Sequence, residues 1–171
     1  MSRLPVIVLL AAAVGLSGCV SMSRSETVTG LPADWVGAGR IESITVAHSG
    51  LKVTPRFEVI FLQHVRAKLD ACATGSRPLR LEATLERFDK ANPVITTLVA
   101  GANVLRGSAK LIDVSTGQVV ADYKVGKTIV GGRFAIVVMG EAEEQMSDAY
   151  GDELCAQAFP KAAMAAPNAP G

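Results

Sequence analysis

The spacing of apolar residues along the chain predicts a strand followed by a helix. Arg40 to His48 is rich in β-branched residues and precedes a Ser-Gly turn signal, which is typical of a strand. From Thr54 onwards apolar side chains recur at helical spacing as far as Cys72, with Thr54 placed to act as the N-cap and Pro55 in the first turn. We therefore expect a β-α unit over residues 40–72.

Alternation of apolar and polar positions predicts three further strands, each with one face in the core and one in water. They are Leu79 to Glu86, Leu105 to Leu111 and Val119 to Val125. If the first two of these strands pair, Glu82 and Glu86 lie across from Arg106 and Lys110, and the opposite charges favour the pairing.

A second helix is predicted from just after Gly140 to about Phe159. Its first turn contains Glu141, Glu143 and Glu144, whose charges complement the positive end of the helix dipole. The order β-α-β-β-β-α predicts an α+β two-layer sandwich, in which two helices cover one face of a small, mainly antiparallel sheet.

The amino terminus has the pattern of an export signal. Arg3 supplies one positive charge, and residues 4–14 form an uncharged apolar run that is too short to span a membrane. The run leads into Leu16-Ser17-Gly18-Cys19, which resembles the lipobox of bacterial lipoproteins. The resemblance implies cleavage between Gly18 and Cys19 and attachment of lipid to the Cys19 sulfur. Because Val20 rather than aspartate follows, it also implies anchoring at the periplasmic face of the outer membrane.

The rest of the chain divides by composition. Residues 1–18 are the predicted signal peptide, and residues 19–30, rich in serine and threonine, are predicted to be a lipidated terminus and flexible tether. Residues 31–159 form a single predicted domain, and the proline-rich residues 160–171 are predicted to be a disordered tail. The 171 residues are 49% apolar, which excludes a disordered chain and admits one domain.

Net charge argues against a nucleic-acid partner. The chain has 17 basic and 16 acidic residues, and removal of Arg3 with the signal leaves 16 of each. No positive excess remains to neutralise phosphates.

Three cysteines are an odd number for an exported protein. With Cys19 assigned to lipid, Cys72 and Cys155 remain in an oxidising compartment, which favours a disulfide between them. The alternative is two buried free thiols.

No motif indicates catalysis or a cofactor. The two histidines, His48 and His64, have no second histidine or cysteine at a metal-binding spacing, and no nucleophile-elbow serine follows the signal. We expect a protein that is not an enzyme and that binds neither metal nor cofactor, apart from the covalent lipid on Cys19.

Two connections are unusually apolar, residues 91–104 and 131–140. One interpretation is an exposed patch that contacts a partner or ligand; the other is that both segments are absorbed into the core. The candidate contact residues are Val94, Ile95, Leu98, Val99, Phe134, Ile136 and Val137.

The lipobox, the element order and the turn Asp113-Val114-Ser115-Thr116-Gly117 together resemble lipoproteins grouped only as a domain of unknown function. The first hypothesis is therefore a non-enzymatic, lipid-anchored interaction or assembly module of the cell envelope, with an envelope protein or a second copy as its partner. The alternative is a carrier or sensor that binds a hydrophobic ligand through the two apolar connections.

Overall fold

The computed structural model describes residues 20–92, 94, 100–131 and 141–160. In these residues it forms six strands and three helices. In chain order they are β1 (Val20–Ser23), β2 (Glu26–Thr29), α1 (Ala33–Val36), β3 (Gly39–His48), α2 (Phe57–Cys72), β4 (Arg77–Asp89), β5 (Gly101–Asp113), β6 (Val119–Gly131) and α3 (Ala142–Ala158).

All six strands belong to one sheet in the order β1-β6-β5-β4-β3, with β2 pairing beside β1 on β6. Strands β4, β5 and β6 form an antiparallel meander. Strands β3 and β4 are parallel because α2 crosses between them. The predicted α+β architecture and the order β-α-β-β-β-α are confirmed, with two amino-terminal strands and a short helix added.

The core lies between the sheet and the helix pair α2 and α3. The buried stripe of α2 is Phe57, Phe61, Val65, Leu69 and Cys72, and it faces Leu79, Leu81, Leu105 and Leu111 of the sheet. Tyr150 of α3 packs edge-on against Phe61 at 5.1 Å and donates a hydrogen bond to the Ser108 carbonyl at 2.8 Å. The opposite face of the sheet has no helix in the described residues, and we call it the open face.

The prediction of a flexible tether over residues 19–30 is wrong for most of that segment. Val20–Ser23 and Glu26–Thr29 are strands that pair antiparallel with β6. Without them the outer edge of β6 would expose unpaired N–H and C=O groups, so a polar segment forms strands there despite its lack of an apolar pattern.

Two local predictions also need correction. Thr54 does not cap α2; the helix begins at Phe57, and the Thr54 hydroxyl donates instead to Glu143 at 2.6 Å. Glu82 lies opposite Lys110 as predicted, but an irregularity after Leu85 shifts the register. Arg106 therefore faces Arg87 and not Glu86.

The two apolar connections are shorter than predicted. The segment Gly101–Val104 belongs to β5, and Gly131 belongs to β6. Residues 93, 95–99 and 132–140 lie outside the described part of the chain, as do residues 1–19 and 161–171.

Candidate functional site

The sheet begins at the residue directly after the predicted lipid-attachment cysteine. Val20 is paired with Val130, and the ladder continues to Ser23 opposite Lys127. Cys19 itself, like Gly18 and the rest of the predicted signal, lies outside the described residues. Val20, the residue that follows Cys19 in the sequence, is therefore paired in the sheet. We call this part of the sheet, around β1 and its partners on β6 and β5, the anchor end.

Polar contacts fasten β1 to the helix layer. The Ser23 hydroxyl donates to Glu153 Oε1 at 2.5 Å, and Lys127 Nζ donates to Glu153 Oε2 at 3.1 Å. Burial acts to raise the pKa of Glu153, but the hydrogen bonds from Ser23 and Lys127 outweigh it and leave the pKa below its ordinary value. Glu153 is thus held as a carboxylate between the amino-terminal strand and α3.

A second set of contacts holds β2 and the segment that follows it. The Thr27 hydroxyl hydrogen-bonds Gln157 of α3 at 3.3 Å, and the Leu31 amide donates to the buried Tyr123 hydroxyl at 2.9 Å. Side-chain hydrogen bonds therefore hold the amino-terminal segment at Ser23, Thr27 and Leu31, which makes it part of the domain.

The open face at the anchor end combines apolar and basic side chains. Val20 and Met22 are 59% and 47% exposed. Beyond them lies a shallow groove of about 290 Å³ lined by Arg24, Arg106 and Lys124, with Glu86 as its acidic member.

The two helices are joined along one seam. Cys72 and Cys155 form a disulfide with a Cα–Cα distance of 5.9 Å, as the cysteine pattern predicted. Farther along the seam Lys68 pairs with Asp152 at 3.1 Å, and His64 Nδ1 lies 3.0 Å from Asp148. The His64 side chain is partly buried.

A buried carboxylate at the start of α3 was missed by sequence reasoning. Glu143 is only 4% exposed; Oε1 accepts hydrogen bonds from the Thr54 amide at 2.8 Å and from Lys90. Burial acts to raise the pKa of Glu143, yet the bonds from Lys90 and Thr54 leave the pKa below its ordinary value. Its neighbours Glu141 and Glu144 gave the same sequence signal, so only the tertiary contacts distinguish it from them.

Of the seven predicted contact residues in the apolar connections, the structure describes only Val94, which is exposed. The other six, Ile95, Leu98, Val99, Phe134, Ile136 and Val137, lie outside the described residues. At the base of the first connection the Ala91 amide donates to the buried Asn103 side chain at 2.8 Å. This contact fixes where the connection leaves the sheet.

Within the described ranges no three histidine, cysteine or acidic side chains come together as a metal site. His48 packs edge-on against Phe57 at 5.6 Å, which gives this strand-end residue a structural contact. In the same part of the chain no helix is both long and apolar enough to cross a bilayer.

No known protein family matches the chain, and no curated protein matches it. Its fold is similar to that of PelC from Paraburkholderia phytofirmans, solved as a dodecamer. PelC is 17% identical with a TM-score of 0.52, and the match covers 81% of this chain and 99% of PelC.

Two further structures are similar. A candidate lipoprotein from Caulobacter crescentus is 10% identical with a TM-score of 0.46, over 72% of this chain and 93% of that one. A DUF330 protein from Xanthomonas campestris is 16% identical with a TM-score of 0.42, over 76% and 92%. At 17% identity, the property that the chain shares with PelC is the fold.

Proposed function

We propose that the protein is a lipid-anchored envelope protein that acts as a non-enzymatic assembly module at the periplasmic face of the outer membrane. The observation that supports this best is the position of β1, which starts at Val20 and is fastened to both β6 and α3. A lipid on Cys19 would hold the whole domain against the membrane, because no flexible spacer separates Cys19 from the sheet.

Contacts around the histidines support a non-enzymatic role. His64 pairs with Asp148 at the helix seam, and His48 packs against Phe57 at the end of β3. Each ring thus takes part in packing between elements. The polar clusters around Glu143 and Glu153 likewise join elements of the fold to each other.

The first partner to consider is a second copy of the chain. PelC, which shares the fold, was solved as a dodecamer. A domain that is held at a membrane by an anchor is suited to repeated contacts between copies lying side by side on that membrane.

The anchor is tested by intact-mass measurement and fractionation. The chain expressed with its own signal should carry acyl groups on Cys19 and should sediment with outer membranes, whereas Cys19→Ala should not be acylated. An unmodified Cys19 in the mature chain would contradict the anchor.

The assembly role is tested by crosslinking in the native envelope, followed by mass measurement of the purified lipoprotein in detergent. Crosslinks between copies, or reproducible crosslinks to one envelope protein, are the expected result. A monomer with no crosslinked partner would contradict the assembly role without affecting the anchor.

A further inference from the structure

The strand register sorts the residues of the anchor end onto two faces. Ser23 and its partner Lys127 both contact Glu153 of α3, so their side chains lie on the helix-covered face. Since side chains alternate along a strand, Val20 and Met22 lie on the open face. Val20 is paired with Val130 and Met22 with Thr128.

The neighbouring strand extends the same apolar surface. On β5, Ala102 is paired with Val130, and Val104 is paired with Thr128. We call the five residues on this part of the open face the apolar end patch: Val20, Met22, Ala102, Val104 and Val130. Val20 and Met22 are its most exposed members.

A basic groove adjoins the apolar end patch. Its charged lining residues are Arg24, Arg106 and Lys124, with Glu86 as the acidic member. Lys124 pairs with Glu26 at 3.3 Å, whereas no salt bridge is formed by Arg24 or Arg106 in the described part of the chain. Two cationic side chains are therefore available next to the apolar residues. Arg24 follows Val20 by four positions, a distance of about 13 Å along an extended chain.

We propose that this face, the apolar end patch together with Arg24 and Arg106, docks on the surface of an anionic phospholipid bilayer. The inference rests on the proposed anchor, because the position of Cys19 directs this end of the sheet to the membrane. One residue spans at most about 3.6 Å, so acyl chains on Cys19 enter the bilayer beside Val20. Apolar side chains next to the anchor and arginines farther from it match an interface that combines acyl chains with phosphate headgroups.

Docking in this way fixes the orientation of the domain. The open face meets the lipid, and the helix layer with its disulfide is directed away from it. The acyl chains alone would leave the domain free to rotate, whereas the docked face makes contacts on both sides of β6.

The test uses the full mature lipoprotein in nanodiscs of phosphatidylethanolamine and phosphatidylglycerol, with a photoreactive group on the acyl chain of a tracer lipid. Crosslinked residues are then mapped by mass spectrometry. We expect crosslinks at residues 20–24 and 102–106 and few on α2. The double variant Arg24→Glu/Arg106→Glu should lower the yield at these segments at least fivefold, since each arginine near an anionic surface contributes to binding. Met22→Asp should lower the crosslinking yield at these segments to a similar extent.

Two variants serve as matched controls. Val59→Asp changes an equally exposed valine on α2, and Arg40→Glu reverses an exposed charge at the other end of the sheet. Neither should alter the crosslink pattern. Crosslinks spread evenly over both layers, or an unchanged yield in the double variant, would overturn the docking face. In a second experiment a photoreactive amino acid replaces Met22. Crosslinks from this position to a second chain would show that another copy occupies the face and would overturn the docking face as well.

The presence of the anchor is measured separately from the docking face. Intact mass shows whether Cys19 is acylated in the same sample. An unacylated chain that still crosslinks to lipid through Val20 and Met22 would refute the proposed anchor and leave the docking face standing. An acylated chain without those crosslinks would refute the docking face and leave the proposed anchor standing.

Discussion

The Ser23 hydroxyl lies 2.5 Å from Glu153 Oε1, which joins the first strand of the described chain to its last helix across 130 residues of sequence. The other carboxylate oxygen of Glu153 accepts from Lys127 on β6. One side chain therefore connects β1, β6 and α3, and the position of the anchor end relative to the helix layer depends on it.

Replacement of Glu153 should loosen β1. Glu153→Ala removes the acceptor of two hydrogen bonds, and we expect the opening free energy of β1 to fall by about 1–2 kcal/mol. Hydrogen exchange of peptides covering residues 20–29 measures this directly. Asp152→Ala is the matched control, because Asp152 is 61% exposed and its pair with Lys68 should contribute less than about 1 kcal/mol. Equal protection in both variants would contradict the prediction.

Stability should fall in acid. The folded pKa values of Glu143 and Glu153 lie below their ordinary value of 4.5, so the folded state binds fewer protons than the unfolded state. Their contribution is complete above that value and is lost as the pH falls through the lower folded pKa values. Urea titrations at a series of pH values should show this decline. In the double variant Glu143→Gln/Glu153→Gln the free energy of unfolding should fall less steeply as the pH is lowered.

A residual slope is expected from Asp113, whose pKa is lowered by hydrogen bonds from Ser115. Glu58→Gln, at an exposed position in the first turn of α2, is the control and should leave the slope unchanged. An acid decline of the same steepness in the double variant would refute the assignment of the effect to Glu143 and Glu153.

Removal of the disulfide should cost much of the domain's stability. The Cys72–Cys155 bond closes a loop of 83 residues, for which the loop-entropy relation gives about 4–5 kcal/mol. Denaturant unfolding with and without reductant measures the difference, and Cys72→Ser/Cys155→Ser should match the reduced protein. A change below about 1 kcal/mol would contradict the prediction.

Gly151 should resist substitution because of a close helix contact. A Cβ atom there would lie 2.7 Å from the Lys68 Cβ, so the α2–α3 seam would have to widen. We expect Gly151→Ala to destabilise the protein by about 1–2 kcal/mol, although alanine favours a helix more than glycine does. Thermal unfolding is the readout. Gly37→Ala, where a Cβ would meet nothing within 4 Å, should be close to neutral.

Most of the central fold could be predicted from the sequence because it rests on strong periodic signals. The apolar stripe from Phe57 to Cys72 and the alternation in β4 each repeat over several turns or pleats. The pairing of Glu82 with Lys110 followed from that alternation. The register shift after Leu85 is visible in the sequence only as two consecutive polar residues, Glu86 and Arg87. A single break of this kind does not distinguish an inserted residue from the end of a strand.

The candidate site was less predictable because its contacts are distant in sequence. Glu143 differs from Glu141 and Glu144 only through Thr54 and Lys90, which the fold brings to it. The apolar residues chosen from the two connections, apart from Val94, fall outside the described residues. The apolar end patch is formed instead by five residues of three strands, with at most two from any one strand, and none of them stands out in its own segment.

Residue order and composition predict the layers of this protein, the cysteine pair that joins its helices, and the lipobox-like segment at residues 16–19. These depend on the local order of residues and on composition. Tertiary contacts, in contrast, determine that residues 20–23 and 26–29 form strands and that four side chains share one face: Val20, Met22, Arg24 and Arg106. A four-residue edge strand has too few residues to show a period, and it forms because the hydrogen-bonding edge of β6 is there to receive it.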